Sequence, residues 1–327
     1  VSQLLSTLGL IFGSLSVGYT AKVLAVRRSP DNEEAVRAVA VRLQRFSLTF
    51  ITPVVLASSF WTLSWGGGTL ALFPVLGAAS HLAGGLAALA VAGAMRLPRR
   101  ETGSMFTCGA FTNLMSFGGL AAFMFYGEEG YALAMLFRVS EPILYYAVGF
   151  PVARAFGEEG DEKGGARINL QGIGGALRDP LILRPVAAMV AGGLLNWSGV
   201  ARPQVLAAIT PVLVISSTTL MLLSVGLLLT VSAISRYRAQ CLAIGGVKFL
   251  LLPLVLTLSA LALGYGRIQG GLPLKIVATM SAMPVAFNSL IPPSLYGLDV
   301  DLASSCWLFT TGMLAVVLPV LYLVSVA

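Results

Sequence analysis

Apolar residues run along this chain in long blocks and do not alternate with polar ones. A helix needs about 20 mostly apolar residues to cross the hydrocarbon of a bilayer. Windows of that kind fall near 4–26, 39–62, 69–95, 103–126 and 130–152, and again near 181–196, 204–231, 239–263, 274–296 and 303–326. The pattern predicts an all-α polytopic membrane protein with ten spans, and not a barrel of short alternating strands. The first window has no basic leader and no small-residue cleavage site, so it reads as a retained helix and not as a signal peptide.

The longest polar stretch, 157–179, includes GEEGDEKGGAR and reads as a linker, with Ile168–Leu177 suited to a short interfacial helix. Five spans precede it (1–156) and five follow (180–327). Homologous halves with an odd number of spans lie upside down relative to each other, the inverted-repeat plan of many secondary transporters. Internal correspondences point the same way. Ile51-Thr52-Pro53-Val54 in span 2 matches Ile209-Thr210-Pro211-Val212 in span 7, and each is followed by a small-polar cluster, Ser58-Ser59 and Ser216 to Thr219. Phe111-Thr112-Asn113 in span 4 answers Ala286-Phe287-Asn288 in span 9, and His81 in span 3 lies at a depth similar to that of Lys248 in span 8.

Composition fixes the solvent. Of 327 residues, 57% are hydrophobic and 11% charged, with mean hydropathy +0.86. A soluble domain carries roughly 25% charge, so a soluble enzyme, a disordered chain and a nucleic-acid partner are excluded. The net charge of +7 is a topology signal. Sixteen of the 21 Lys and Arg residues flank odd-numbered loops, three flank even ones, and Arg138 and Lys248 lie within spans. By the positive-inside rule, odd loops and the 157–179 linker face the cytoplasm of a cell (inner or plasma) membrane, and both termini face outward.

Two spans carry helix-breaking runs. Span 4 has Asn113-Leu-Met-Ser116-Phe-Gly118-Gly119, and span 9 has Met283-Pro284-Val-Ala-Phe-Asn288-Ser289-Leu-Ile-Pro292-Pro293. Proline removes a backbone donor and clashes with the preceding turn. Unwound backbone is tolerated in a membrane only where it is buried in protein or lines a cavity. If the breaks cross, their freed groups converge at mid-membrane, where half-helix N-termini attract anions. Asparagine suits such a site, since one amide both donates and accepts. The substrate-binding candidates are Asn113, Ser116, Gly118, Pro284, Asn288 and Ser289, with Lys248 for charge compensation.

These segments carry a family resemblance. NLMSFGGLAAFMFYGEEGYALAML (113–136) and MPVAFNSLIPPSLYGLDVDLASS (283–305), with KFLLLP (248–253) and DPLILRPVAAMVAGGLL (179–195), resemble the auxin efflux carrier family of transporters. One position departs from it: the family has a proline shortly after the span-4 glycine, where this chain has Leu120. The resemblance implies the architecture of the bile acid–sodium symporter superfamily. Spans 1, 2, 6 and 7 would form a scaffold that often dimerises, and spans 3–5 and 8–10 a moving domain with crossed helices 4 and 9. It implies alternating-access, elevator-like transport of a small organic anion such as malate, malonate or auxin. Transport would be passive or coupled to Na+ or H+. A sodium-coupled bile-acid-type symporter is the alternative within the superfamily.

Charges inside a membrane are costly and mark function by default. Arg138 and Glu141, at i and i+3, either balance each other or touch substrate or a coupling proton. Lys248 lies about 15 Å of helix beyond Arg238, too deep to snorkel easily. It balances either a carboxylate substrate, or Glu141, or carbonyls at a break. His81 is either a proton carrier or a neutral core histidine. Asp299 and Asp301 read as a cap on span 10. There is no phosphate-cradling loop, His-Glu-x-x-His or aspartate-rich prenyl motif. Cys108, Cys241 and Cys306 suggest neither a disulfide framework nor a metal site. A membrane-embedded lipid or prenyl enzyme would need an acidic or nucleophilic cluster that is not visible, so the expectation is a carrier with no catalytic residues, metal or cofactor.

Overall fold

Three prolines set the local shape of the spans. Pro53, Pro151 and Pro253 each stand two residues after a wide π turn, at Ser47–Ile51, Tyr145–Gly149 and Val247–Leu251. A proline clashes with the carbonyl four residues before it, and in each case that carbonyl lies inside the wide turn, which absorbs the clash without ending the helix. A fourth π turn, Leu114–Gly118, has Leu120 at the same offset.

The computed structural model describes residues 2–64, 68–157, 178–229 and 234–326. The interfacial helix expected over Ile168–Leu177 lies outside these residues. Among the described residues the chain is helical, without strands apart from one isolated bridge. The elements are α1 (Ser2–Arg28), α2 (Asn32–Trp61), α3 (Phe73–Ala94), α4 (Arg99–Ala110), α5 (Gly119–Arg138) and α6 (141–155). They continue with α7 (Pro180–Trp197), α8 (Gln204–Leu228), α9 (Arg238–Ala262), α10 (Leu272–Ser281), α11 (Ile291–Tyr296) and α12 (Val300–Val326).

Among the described residues, eight helical segments are long and apolar enough to cross a membrane. The ten apolar windows map onto them unevenly. The window near 274–296 holds no such helix, because it is broken between α10 and α11. The windows near 103–126 and 130–152 share one 42-residue helical stretch, Leu114–Ala155. Inside it Gly127 has φ of +71°, a conformation that a side-chain-bearing residue rarely adopts, and the chain turns there. Apolar residues face outward, as a lipid solvent requires: Leu250, Leu254, Leu258 and Leu261 make one exposed face of α9, while Lys248 is fully buried.

The chain divides into two compact units. The first comprises Val1–Trp65, Met115–Met135 and Asp179–Thr230. In it α1 and α8 touch backbone to backbone, since a Cβ on Gly18 would stand 2.3 Å from Leu223 O and one on Gly226 2.4 Å from Leu15 O. Small residues at membrane helix contacts permit such approach. Hydroxyls tie α2 to α8 reciprocally: Thr52 Oγ1 lies 3.3 Å from Ser217 Oγ, and Thr210 Oγ1 lies 2.6 Å from Ser58 Oγ. Each threonine of the repeated Ile-Thr-Pro-Val thus bonds the small-polar cluster that follows the other copy. Arg202 pairs with Glu128, the residue after the Gly127 turn, and also donates to Ser58 Oγ at 3.1 Å.

The second unit comprises Gly66–Leu114, Leu136–Arg178 and Val231–Ala327. Gly84 and Gly109 bring α3 and α4 into backbone contact. Asp299 caps α12 by accepting from Leu302 N at 2.8 Å. It also accepts from Tyr237 Oη at 2.9 Å, and its carbonyl accepts from Ser104 Oγ at 2.7 Å.

Candidate functional site

In the second unit the two helix breaks lie side by side. α4 ends at Ala110, and Phe111 is extended (φ −93°, ψ 116°). Thr112 pairs with Val285 in an antiparallel bridge. Asn113 N donates to Pro284 O at 2.9 Å, and Ala286 N donates to Phe111 O at 3.0 Å. Backbone groups freed by one break are therefore satisfied by the other, as a buried backbone requires. The sequence marks the run from Asn113 to Gly119 as the span-4 break. The chain leaves its helix at the start of that run, at Phe111–Asn113, and Gly118 closes the π turn that restarts it. Backbone hydrogen bonds from the span-9 break, not glycine freedom, stabilise the unwound backbone there.

Lys248 reaches this point from the π turn of α9. It donates to Gly109 O at 2.6 Å, to Thr112 Oγ1 at 2.7 Å and to Phe111 O at 3.4 Å. These contacts match the three donors of an ammonium. Of the roles weighed for Lys248, the arrangement found is with carbonyls at a break. Its hydrogen-bond partners are all neutral groups.

The remaining candidates fall into two groups. Asn113 and Pro284 are buried in the break itself. On the far side of the span-9 break, Asn288 is exposed while Ser289 is buried with its Oγ unpartnered. Ser116 and Gly118 are also buried, but they belong to the first unit. The second group surrounds Glu141. Arg138 Nε and Nη2 both reach Glu141 Oε2 at 2.7 Å, and Tyr145 Oη donates to Oε1 at 2.5 Å. His81 Nδ1 lies 2.8 Å from Gly77 O, an acceptor only, so Nδ1 carries the proton. Its Nε2 is buried without a partner. The His81 ring meets Tyr145 edge-on at 6.0 Å, and Tyr145 packs 4.2 Å from Phe111, so an aromatic contact joins this group to the break.

Four contributors were missed from the sequence: Thr112, Tyr145, Trp307 and Thr310. Thr310 Oγ1 accepts from Val285 N at 3.2 Å. The available signal was the small-polar cluster in the first half of the last span, Ser304, Ser305, Thr310 and Thr311. The three cysteines are buried and free. Among the described residues no group of three or more His, Cys, Asp or Glu side chains is arranged to hold a metal ion.

No known family profile matches the chain. Over 304 residues, 93% of this chain and 92% of the other, it is 24% identical to a protein of Methanothermobacter thermautotrophicus that bears the name uncharacterized transporter.

Proposed function

We propose that this protein is a secondary transporter that carries a small organic anion, such as a carboxylate, across a cell membrane by alternating access. The observation that carries the reading is the pairing of the two broken segments around a buried lysine. Interrupted helices meeting at mid-membrane are the usual seat of substrate in carriers built from inverted repeats. A lysine placed at the break with only neutral hydrogen-bond partners favours an anionic cargo.

The finer architecture in this proposal is ten spans in two inverted five-helix repeats, with spans 4 and 9 crossing. The reciprocal Thr52–Ser217 and Thr210–Ser58 contacts support it, since a two-fold relation between halves would produce such an exchange. The scaffold of spans 1, 2, 6 and 7 would dimerise, and the remaining spans would move. The similarity in length and sequence to a protein named as a transporter supports the general class, and the motifs at both breaks favour the auxin efflux carrier family. Na+ or H+ is the coupling ion where coupling exists, with His81, Arg138 and Glu141 as its candidate groups.

Uptake by proteoliposomes, paired with thermal-shift screening against dicarboxylates, aromatic acids and bile acids with and without sodium, tests this. Carboxylates should raise the melting temperature, and Asn113→Ala and Asn288→Ala should each abolish uptake while the protein still folds. Stabilisation by neutral or cationic compounds alone would overturn the anion assignment. Full transport by both variants would overturn the site.

A further inference from the structure

One face of α12 packs against the span-9 break. Thr310 holds Val285 N and donates back to Cys306 O at 2.8 Å. Trp307 meets Phe287 with ring centres 5.6 Å apart and planes at 83°. Thr311 follows Trp307 at i+4, so both stand on the same helix face. Three polar atoms on these elements lack any partner: Trp307 Nε1, Thr311 Oγ1 and Ser289 Oγ. Their residues are 1%, 3% and 0% exposed.

Native proteins leave few buried polar groups unpaired, and each such group asks for an occupant. Elsewhere at the break the main-chain groups are well supplied: Phe111 O, Pro284 O, Asn113 N, Val285 N and Ala286 N all have partners. The shortage lies in side chains, two on α12 and one, Ser289, on the span-9 break. The chemistry of the missing partner follows from the donors. An indole N–H can only donate, and both hydroxyls can donate, so the occupant must present acceptors. A carboxylate, which offers several lone pairs and no donor, fits such a set of donors.

We infer that Trp307, Thr311 and Ser289 form a carboxylate-recognition subsite at the span-9 break. The inference rests on the reading of the break as the substrate site and adds the last helix to it. Trp307 supplies the directional N–H, and the Phe287–Trp307 ring pair supplies an apolar wall for the organic part of the acid.

The experiment uses the full-length protein in detergent with malonate and indole-3-acetate as probes, read by calorimetric binding and by melting temperature. Trp307→Phe keeps a ring and deletes the N–H, Thr311→Val keeps the shape and deletes the hydroxyl, and Thr311→Ser restores a hydroxyl. Without probe, the first two variants should melt at or above the wild-type temperature, because each removes an unpaired buried group. With probe, both should weaken Kd by about tenfold or more, and Thr311→Ser should bind as wild type does. Unchanged Kd in Trp307→Phe and Thr311→Val overturns the subsite and leaves the transporter reading standing. A lower melting temperature without probe, together with unchanged Kd, assigns these groups to structural water and also overturns it. Wild-type protein that binds neither probe nor any other carboxylate overturns the anion reading and the subsite together.

Discussion

Lys248 Nζ lies 2.6 Å from Gly109 O and 2.7 Å from Thr112 Oγ1, so a single ammonium on α9 holds the chain on both sides of the point where α4 ends. Lys248→Met would strand these acceptors in an apolar interior, at a cost of about 1–3 kcal/mol for each group left unpaired. The expected result is a melting temperature well below wild type. Lys248→Arg should not restore it, because a planar fork does not reproduce three diverging donors. Thr112→Val should cost less, since both carbonyls keep the ammonium. A wild-type melting curve for Lys248→Met would show that the lysine does not tie the break.

Glu141 is held on one oxygen by Arg138 and on the other by Tyr145. Removing one partner of a fully buried ion pair leaves an uncompensated charge, a loss of about 3–5 kcal/mol; Arg138 is partly exposed, so Arg138→Met should be destabilised by less than that. Tyr145→Phe loses one hydrogen bond to a charged group, about 1.5–3 kcal/mol. The double variant Arg138→Met with Glu141→Met should be more stable than Arg138→Met alone. A double-mutant cycle by chemical denaturation measures this, and strictly additive effects would contradict the pairing.

Much of this was legible in the sequence because it depends on local pattern. Hydropathy windows follow the spans to within a few residues at α1, α7, α8 and α9, and Asp299 does cap the last helix. The helix breaks were legible as clusters of Gly, Pro and Asn. What those breaks bond to was not. Lys248 and Thr112 are 136 positions apart, and no periodicity encodes such a contact. For the same reason the run from Asn113 to Gly119 marked the span-4 break without showing where the helix ends: the hydrogen bonds that stabilise extended backbone at Phe111–Asn113 come from the other half of the chain. The repeated Ile-Thr-Pro-Val stood out, but the exchange of partners between its copies exists only once the helices pack.

Gly84 and Gly109 face each other without room for a methyl group. A Cβ on Gly84 would stand 2.2 Å from Gly109 O, and one on Gly109 would stand 2.3 Å from Gly84 O. Either change to alanine must push α3 from α4 and drag the Gly109 carbonyl that Lys248 uses. Both variants should lose stability and, with it, any binding at the break. Gly13 in α1 has nothing within 4 Å of its missing Cβ. Gly13→Ala should therefore be neutral or gain about 0.5–1 kcal/mol from helix propensity. Thermal melts of the three variants side by side check the contrast, and equal behaviour would refute it.

Tyr237 lies just before α9, outside the membrane-spanning segment, and donates to Asp299 Oδ2. Burial first, and then the bond to the Asp299 carboxylate, push the phenol up to about 12. The folded state thus favours the neutral phenol. Its contribution is fully present below the unfolded value, about 10, and is lost as pH climbs from there through about 12. Tyr237→Phe should lower stability at neutral pH by about 1 kcal/mol, the net value of a typical hydrogen bond, and should flatten the fall in stability between pH 10 and 12. Asp299→Ala removes the same partner and also the cap on α12, which adds about 1 kcal/mol. It should therefore be less stable than Tyr237→Phe at neutral pH and show a shallower alkaline decline than wild type. Denaturation followed from pH 7 to 12 distinguishes these curves, and an alkaline limb as steep in Tyr237→Phe as in wild type would rule out the Tyr237–Asp299 bond as its source.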